Sequence, residues 1–432
     1  MNKNRLPRHN PYAAFRYRNF NLFITGHLLT MIGGAVQGLA IRAEIYDRTD
    51  KVIALGMAAL VQALPMLLFT LPAGYLADTR NRKTVSIMGL LGSAASSLGL
   101  ALVSISRGPV NLIFVLLCFN AFFNILATPA RTAILPSLIP AGDFENAVNW
   151  RTTSFHIAAV LGPILGGYLV AWRAYAAYVL CAAACVVFCI LLVCIKQELK
   201  PQPPREGPIH AVLEGIRFVF RRKMVLSAIS LDLFAVFFGG AVYLMPVYAK
   251  DILHTGKLGL GYLTAAPALG ALCVALVMSH LPPMKRAGRN LLVAVAGFGF
   301  ATVVFGISQT FWLSWAMLFL TGAFDNVSIV VRHTLVQLQT PESMRGRVSA
   351  VNSVFIGSSN ELGGVESGLT ANWFGAVVSV VSGGIGTLLV VAAIALCSPD
   401  LRRFGSLSGA VQEGAVDEVG LPPPVPTDQV KM

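Results

Sequence analysis

Charge is what this sequence has least of. Aspartate, glutamate, lysine and arginine make up 12% of its 432 residues, against 55% hydrophobic residues and a mean hydropathy of +0.69. A soluble domain covers its surface with roughly a quarter charged residues, so water cannot be the solvent for most of this chain, and lipid must be. Catalytic signatures are missing as well. There is no G-x-x-x-x-G-K-[ST] phosphate loop, no H-E-x-x-H and no G-x-S-x-G elbow. ATP hydrolysis, zinc peptidase and serine hydrolase chemistry therefore have no residues to carry them, and neither an enzyme nor a cofactor is expected. The formal net charge of +13 would suit nucleic acid, but the basic residues lie in short loops between apolar runs. That placement speaks for membrane orientation, and no nucleic-acid partner is expected.

Cysteine is sparse and odd in number. Cys118, Cys181, Cys185, Cys189, Cys194, Cys273 and Cys397 sit inside apolar stretches, which excludes a secreted disulfide framework. Cys181, Cys185 and Cys189 form an i, i+4, i+8 stripe with no histidine beside it. Small residues packing on one face explain it better than a soft-metal site, and no metal is expected. The first eighteen residues are basic and polar with no cleavable apolar region, so an uncleaved first helix is expected to direct insertion.

What is present in quantity is apolar runs of about 20 residues, the length that crosses a bilayer. They fall at 20–41, 53–77, 84–106, 110–130, 149–171 and 174–195, then at 224–249, 258–280, 291–308, 311–331, 348–372 and 375–397. An all-α membrane protein of twelve spans is predicted, as two six-helix halves (20–195 and 224–397). A linker, 196–223, joins them, with Ile209 to Phe220 as an amphipathic helix on the membrane surface. A tail at 1–19 and a disordered tail at 398–432 complete the domains. With both termini and the even-to-odd loops on one side, that side holds 25 Lys and Arg against 7 opposite. The positive-inside rule then puts both termini in the cytoplasm.

The halves repeat each other. Gly33-Gly34-Ala35-Val36 recurs as Gly239-Gly240-Ala241-Val242, and Arg131, Pro140, Gly162 and Gly167 recur as Arg332, Pro341, Gly363 and Gly368. Displacements of 206 and 201 fit two homologous halves around a central pathway.

Two elements carry mechanical meaning. Between spans two and three stands Gly74-Tyr75-Leu76-Ala77-Asp78-Thr79-Arg80-Asn81-Arg82-Lys83. Gly74 permits close helix approach, Asp78 sets a carboxylate at a helix end, and Arg82 and Lys83 face the inner leaflet. In span five, Ala158-x-x-x-Gly162-Pro163-x-x-Gly166-Gly167 makes a small-residue face on a helix kinked by proline. The first element resembles the signature loop of the major facilitator superfamily, G-x-L-a-D-r-x-g-r-[RK], departing from it at Thr79 and Asn81. The second resembles g-x-x-x-G-P-x-x-G-G of exporters and antiporters in that superfamily. Pro341-Glu342-Ser343-Met344-Arg345-Gly346-Arg347-Val348 resembles the branch that includes enterobactin and macrolide efflux proteins. The resemblance implies the major facilitator fold, with Gly74, Asp78, Arg82 and Lys83 as a conformational latch. It implies Gly162, Pro163, Gly166 and Gly167 as the face on which packed helices rock.

Titratable groups inside spans are costly and point to function. His27, Arg151, His156, Asp232, Asp325, Glu361 and Glu366 are such groups, and both histidines are expected to be interhelical hydrogen-bonders. Glu361 lies roughly 20 Å along span eleven, near mid-membrane, and is the first candidate for a proton-handling or cation-handling carboxylate. Asp325 and Asp232 follow it, each with the alternative of being satisfied by a neighbouring Asn or Arg. Glu366 stands five residues on, so it points to a different side of the helix. The intramembrane arginine of span four found in proton-coupled superfamily members has no counterpart within 110–130; Asn120 and Asn124 share a face there, and Arg151 is a possible substitute.

The expected function is secondary transport by alternating access. The cargo is expected to be a small amphipathic or chelating molecule, moved out of the cell against entry of protons or another coupling ion. A monomer in the cytoplasmic membrane is expected. A lysophospholipid flippase or an importer of the same fold stays open, as does a non-transporting membrane receptor or assembly factor.

Overall fold

The computed structural model describes residues 10–196, 208–282, 284 and 286–405. Twelve long helices dominate it: α1 (Arg18–Thr49), α2 (Val52–Thr79), α3 (Arg82–Ser106), α4 (Val110–Leu138), α5 (Phe144–Trp172), α6 (Ala174–Val193), α7 (Lys223–Phe238), α8 (Gly256–His280), α9 (Ala287–Ile307), α10 (Phe311–Leu338), α11 (Arg345–Phe374) and α12 (Ala376–Cys397). Among the described residues there is no strand. Among the described residues, eleven segments are long and apolar enough to cross a membrane. The twelfth helix, α11, is diluted by Asn352, Ser353, Ser358, Ser359, Asn360, Glu361 and Glu366. A helix that polar cannot face lipid all round and must turn part of its surface to a protein interior or a water-filled cavity.

Several helices overrun the apolar runs, and this moves several charges from expected loops into helices. α1 runs eight residues beyond the apolar run that ends at 41, taking in Arg42, Glu44 and Arg48, before Asp50 closes it at φ 50°. Glu44 is buried there, ion-paired with Arg48 and accepting a 2.7 Å hydrogen bond from the Tyr178 hydroxyl. α4 continues past residue 130 to Leu138, so Arg131 is helical. α10 likewise takes in Arg332.

Each half packs its own six helices, and the second half departs from the first at one place. The Gly33-Gly34 stretch is continuous helix, whereas α7 stops at Phe238 and continues as a 3₁₀ stretch Gly240–Leu244, a short turn Met245–Val247 and a π turn Tyr248–Ile252. Pro246 has no N–H to give the preceding turn, and the first half has no proline at the matching position.

The connecting helix Pro208–Arg221 docks on the start of α11. Val219 is buried with Val348 and Val351, and Glu214 is ion-paired with Arg347. The first half of the expected linker (197–207), the N-tail to residue 9 and the C-tail from 406 lie outside the described residues. Pro399–Arg403, expected in the tail, forms a helical turn with Leu401 buried against α9.

The described termini and the connecting helix share one face, called near; the loops after α1, α3, α5, α9 and α11 form the far face. The halves meet toward the far face through two glycine contacts. A Cβ on Gly261 of α8 would lie 3.0 Å from Gly167 Cα of α5, and one on Gly56 of α2 would lie 3.0 Å from Gly368 Cα of α11. Under the internal repeat, α2 corresponds to α8 and α5 to α11, so each contact is the pseudo-symmetric image of the other. Ion pairs Asp47–Lys257 (3.0 Å) and Asp50–Lys250, with the Tyr46–Asp251 hydrogen bond, lie outside them. Toward the near face, Thr152 and Phe155 of α5 and Leu276, Val277 and His280 of α8 are exposed. The molecule is therefore closed on the far side and open on the near side.

Candidate functional site

One face of α4 supplies a polar ladder. Asn120, Asn124 and Thr128 are spaced by four residues and Arg131 follows by three, so all four share a stripe. Asn124 Nδ2 donates to Asn120 Oδ1 at 3.1 Å, and Arg131 Nη2 reaches Asn124 Oδ1 and Thr128 Oγ1, each at 3.4 Å. The ladder lines a cavity of about 530 Å³, walled by Thr30, Met31 and Gln37 of α1 and by Gln62 and Met66 of α2. From the second half, Glu361 enters the same wall. Three of the residues singled out in sequence, Asn120, Asn124 and Glu361, thus come together across the two halves.

Glu361 does not stand alone. Its Oε2 accepts a 2.6 Å hydrogen bond from the Tyr243 hydroxyl, and the Arg42 guanidinium lies 5.9 Å from the Tyr243 ring centroid. An acid of α11, a phenol of the irregular stretch after α7 and a guanidinium of α1 meet where the halves join. Sequence reasoning missed Arg42, placed in an outer loop, and Tyr243, which the 3₁₀ stretch turns toward Glu361. It missed Arg131 because the apolar run ends at 130, eight residues before α4 does. The signal was available: Arg131 continues the stripe of Asn120 and Asn124.

The other candidates separate. Asp325 lines a cavity of about 180 Å³ within the second half, with Asn360, Thr321 and Tyr243. Tyr243 therefore stands between the two carboxylates. Asp232 is buried and ion-paired with Arg332 of α10. It is satisfied by a neighbouring arginine and is absent from the central cavity, so it departs from the picture of a free carboxylate. Glu366 accepts from Thr370 Oγ1 at 2.8 Å on its own helix, away from the cavity, as five-residue spacing requires. Arg151 lines a third space of about 350 Å³ near the opening and donates to Thr132 Oγ1 at 3.3 Å. Among the described residues His27 Nδ1 has no hydrogen-bond partner, so the interhelical bond expected of that histidine is not made through it. Among the described residues no group of three or more His, Cys, Asp or Glu could hold a metal ion.

In the near-face loop, the departure at Asn81 has a local cause. Its side chain accepts from Lys83 N (2.9 Å) and Thr84 N (3.4 Å), capping α3. Lys83 Nζ donates to Val193 O and Ile195 O at 3.0 and 2.8 Å, closing the end of α6, and Arg82 Nη1 donates to Ala133 O at 3.1 Å. Asp78 has no hydrogen-bond or ion-pair partner among the described residues, and a Cβ on Gly74 would meet nothing within 4 Å. The close approach expected at Gly74 is thus not made while the near side is open. The α5 glycines are tightly engaged: a Cβ on Gly162 would lie 2.4 Å from Ala35 Cβ, and one on Gly166 3.4 Å from Val36 Cα.

A cavity with a polar ladder on its wall, inside a bundle of apolar helices, shared by two six-helix halves and shut at one end, is the build of a transporter that alternates access. The chain belongs to the Major Facilitator Superfamily, whose model matches residues 23–363. It is similar to the enterobactin exporter EntS of Shigella boydii serotype 18 and of Escherichia coli O1:K1. Each is 26% identical over 391 residues, covering 89% of this chain and 93% of the relative. Solved structures of the same fold include a peptide transporter POT in complex with sulfate (TM-score 0.69, 13% identity, 88% of this chain and 95% of that one). A bacterial homologue of the human lysosomal transporter Spinster, inward-facing and occupied, superposes with a TM-score of 0.69 at 14% identity, over 92% and 98% of the two chains.

Proposed function

We propose that this protein exports a small amphipathic or chelating molecule across the cytoplasmic membrane, and that the uptake of protons or another ion at Glu361 drives the cycle. The observation that carries this reading is Glu361 itself, an acid of the second half set in the wall of a cavity otherwise built by the first half. A carboxyl group at that junction changes charge where the halves must part, so its protonation state favours one arrangement over the other. Tyr243 and Arg42 supply the hydrogen bond and the positive charge that hold it when ionised, and Asp325 behind Tyr243 is a second station. Export is supported by the likeness to enterobactin exporters and by the α5 glycine-proline face. Lys and Arg placement supports a cytoplasmic near face, so the conformation described is inward-open, in a monomer with both termini inside. In the opposite state, Asp78 would find its latch partner as the near side closes.

The test uses inverted membrane vesicles carrying the protein, energised to an acidic interior. Addition of amphipathic and chelating compounds from a broad panel should release protons with the wild type and not with Glu361→Gln. Equal proton release by both, or none with any compound, would sink the coupling assignment.

A further inference from the structure

The central cavity and the space nearer the opening are continuous, since Met31, Thr128, Arg131 and Phe155 line both. Two guanidinium groups, Arg131 and Arg151, stand on this wall, and their hydrogen-bond partners are neutral: Asn124, Thr128 and Thr132, at 3.3 to 3.5 Å. Among the described residues, no aspartate or glutamate lines the outer space, and the one acid lining the inner cavity, Glu361, comes from the other half and is already bonded to Tyr243.

The second half shows what the same template does when an arginine is structural. Arg332, the repeat of Arg131, is buried against Asp232. The first-half position matching Asp232 is Gly26, where even a Cβ would lie 2.0 Å from the Phe188 ring. No acid fits there. The position matching Arg151 is Asn352. One half thus neutralises its arginine, while the other carries two and leaves no room for the neutralising acid. His27, whose Nδ1 is buried without a hydrogen-bond partner, adds a third nitrogen-bearing side chain to the wall. Cations without counter-charge within membrane helices are costly, and a cavity open to one side is where a ligand supplies that charge.

We infer that Arg131 and Arg151 form a subsite for an anionic oxygen group (carboxylate, phosphate, sulfonate or phenolate) of the transported molecule, an assignment that rests on the transporter reading above. Guanidinium forks match such groups in shape and charge. Phe23, Met31 and Phe155 beside them supply apolar area for the body of an amphipathic anion. The occupant is the cargo and not a phospholipid headgroup, because the wall continues inward to Asn120, Gln62 and Glu361, along the path the cargo must take.

Fluorescein and rhodamine 123 share a xanthene ring system and differ in charge sign, so they separate charge from shape. Binding of each to the full-length protein in phosphatidylcholine nanodiscs is followed by fluorescence anisotropy. Fluorescein should bind, and Arg131→Gln and Arg151→Gln should each weaken it roughly tenfold or more, with Arg131→Lys recovering part of the loss. Rhodamine 123 should not follow this pattern. Unchanged fluorescein affinity in both glutamine variants, or equal losses for the two dyes, overturns the subsite. Full occlusion of the dye site by phosphatidylglycerol in the nanodisc, with no dye carried across vesicles, assigns the arginines to lipid and overturns the cargo assignment. Coupled flux of fluorescein in vesicles that persists unchanged in Arg131→Gln sinks the subsite alone. Arginine-dependent binding without any flux leaves the subsite standing and sinks the export reading.

Discussion

Asp232 and Arg332 are buried side chains whose charges depend on each other. Removing one partner leaves the other desolvated and alone, at a cost of roughly 3–5 kcal/mol, whereas removing both together costs much less. Asp232→Asn should therefore lower the melting temperature in detergent substantially, and Asp232→Asn combined with Arg332→Gln should recover most of it. Equal melting of the single variant and the wild type would show that the pair contributes nothing. The contrast with Arg131 explains which residues could be recognised from their letters. Asn120, Asn124 and Glu361 stand out as polar residues in the middle of apolar runs, and the cavity brings all three together. Arg42, Arg131 and Arg332 stand at the ends of such runs, where a charge reads as the edge of a span. Long side chains within longer helices keep their heads in a cavity or on a partner, which a hydropathy window cannot see. Nothing in the letters distinguished the paired acid, Asp232, from Asp325, which has no ion pair among the described residues, because the pairing is made across helices distant in sequence.

At the scale of the helix, glycine pairs decide how the halves touch. Gly167 against Gly261 and Gly56 against Gly368 bring backbones together toward the far end, and any side chain there must push the helices apart. Gly167→Leu and Gly368→Leu should each prevent far-side closure. In a cysteine-free background, a cysteine placed at Val110 of α4 should then react with a membrane-impermeant maleimide faster than in the parent, and transport should fall by roughly tenfold or more. Unaltered labelling and flux in both variants would remove these contacts from the closing mechanism. The α5 glycine face was legible from its spacing, although the sequence did not divide it: Gly162 packs on α1 of its own half, while Gly167 reaches the other half. Helix α11 was legible as the run at 348–372, although its polar residues leave it outside the eleven segments that length and composition alone mark as membrane-crossing. The break after α7 was not foreseen. Its glycines are identical to those of unbroken α1, and Pro246, six residues beyond, makes the difference.

Over the whole molecule, pseudo-symmetry holds for the glycine contacts and fails for the charges. Asp47–Lys257, Asp50–Lys250 and Tyr46–Asp251 all join the end of α1 to the stretch from Lys250 to the start of α8, and among the described residues no ion pair joins the stretch after α7 to α2 in return. The far side is thus held by apposed glycines that opening of that side must part, together with ion pairs that water and salt weaken. Exposed pairs contribute only about 0.2–1 kcal/mol each, so they cannot lock the transporter, but two of them can tilt an equilibrium between states of similar energy by roughly 1.4- to 5-fold apiece. Spin labels at Arg107 and Trp312 report the far side, and labels at Arg80 and His280 the near side. In Lys250→Gln/Lys257→Gln, the far-side distances should lengthen and the near-side distances shorten in the same fraction of molecules, because one rocking motion moves both. Raising the salt from 0.05 to 0.5 M shrinks the screening length severalfold and should shift the wild type in the same direction, with little further effect on the double variant. Distances that stay fixed in the variant and in high salt would mean that the glycine contacts alone set the resting state, and that the ion pairs merely decorate a closed door.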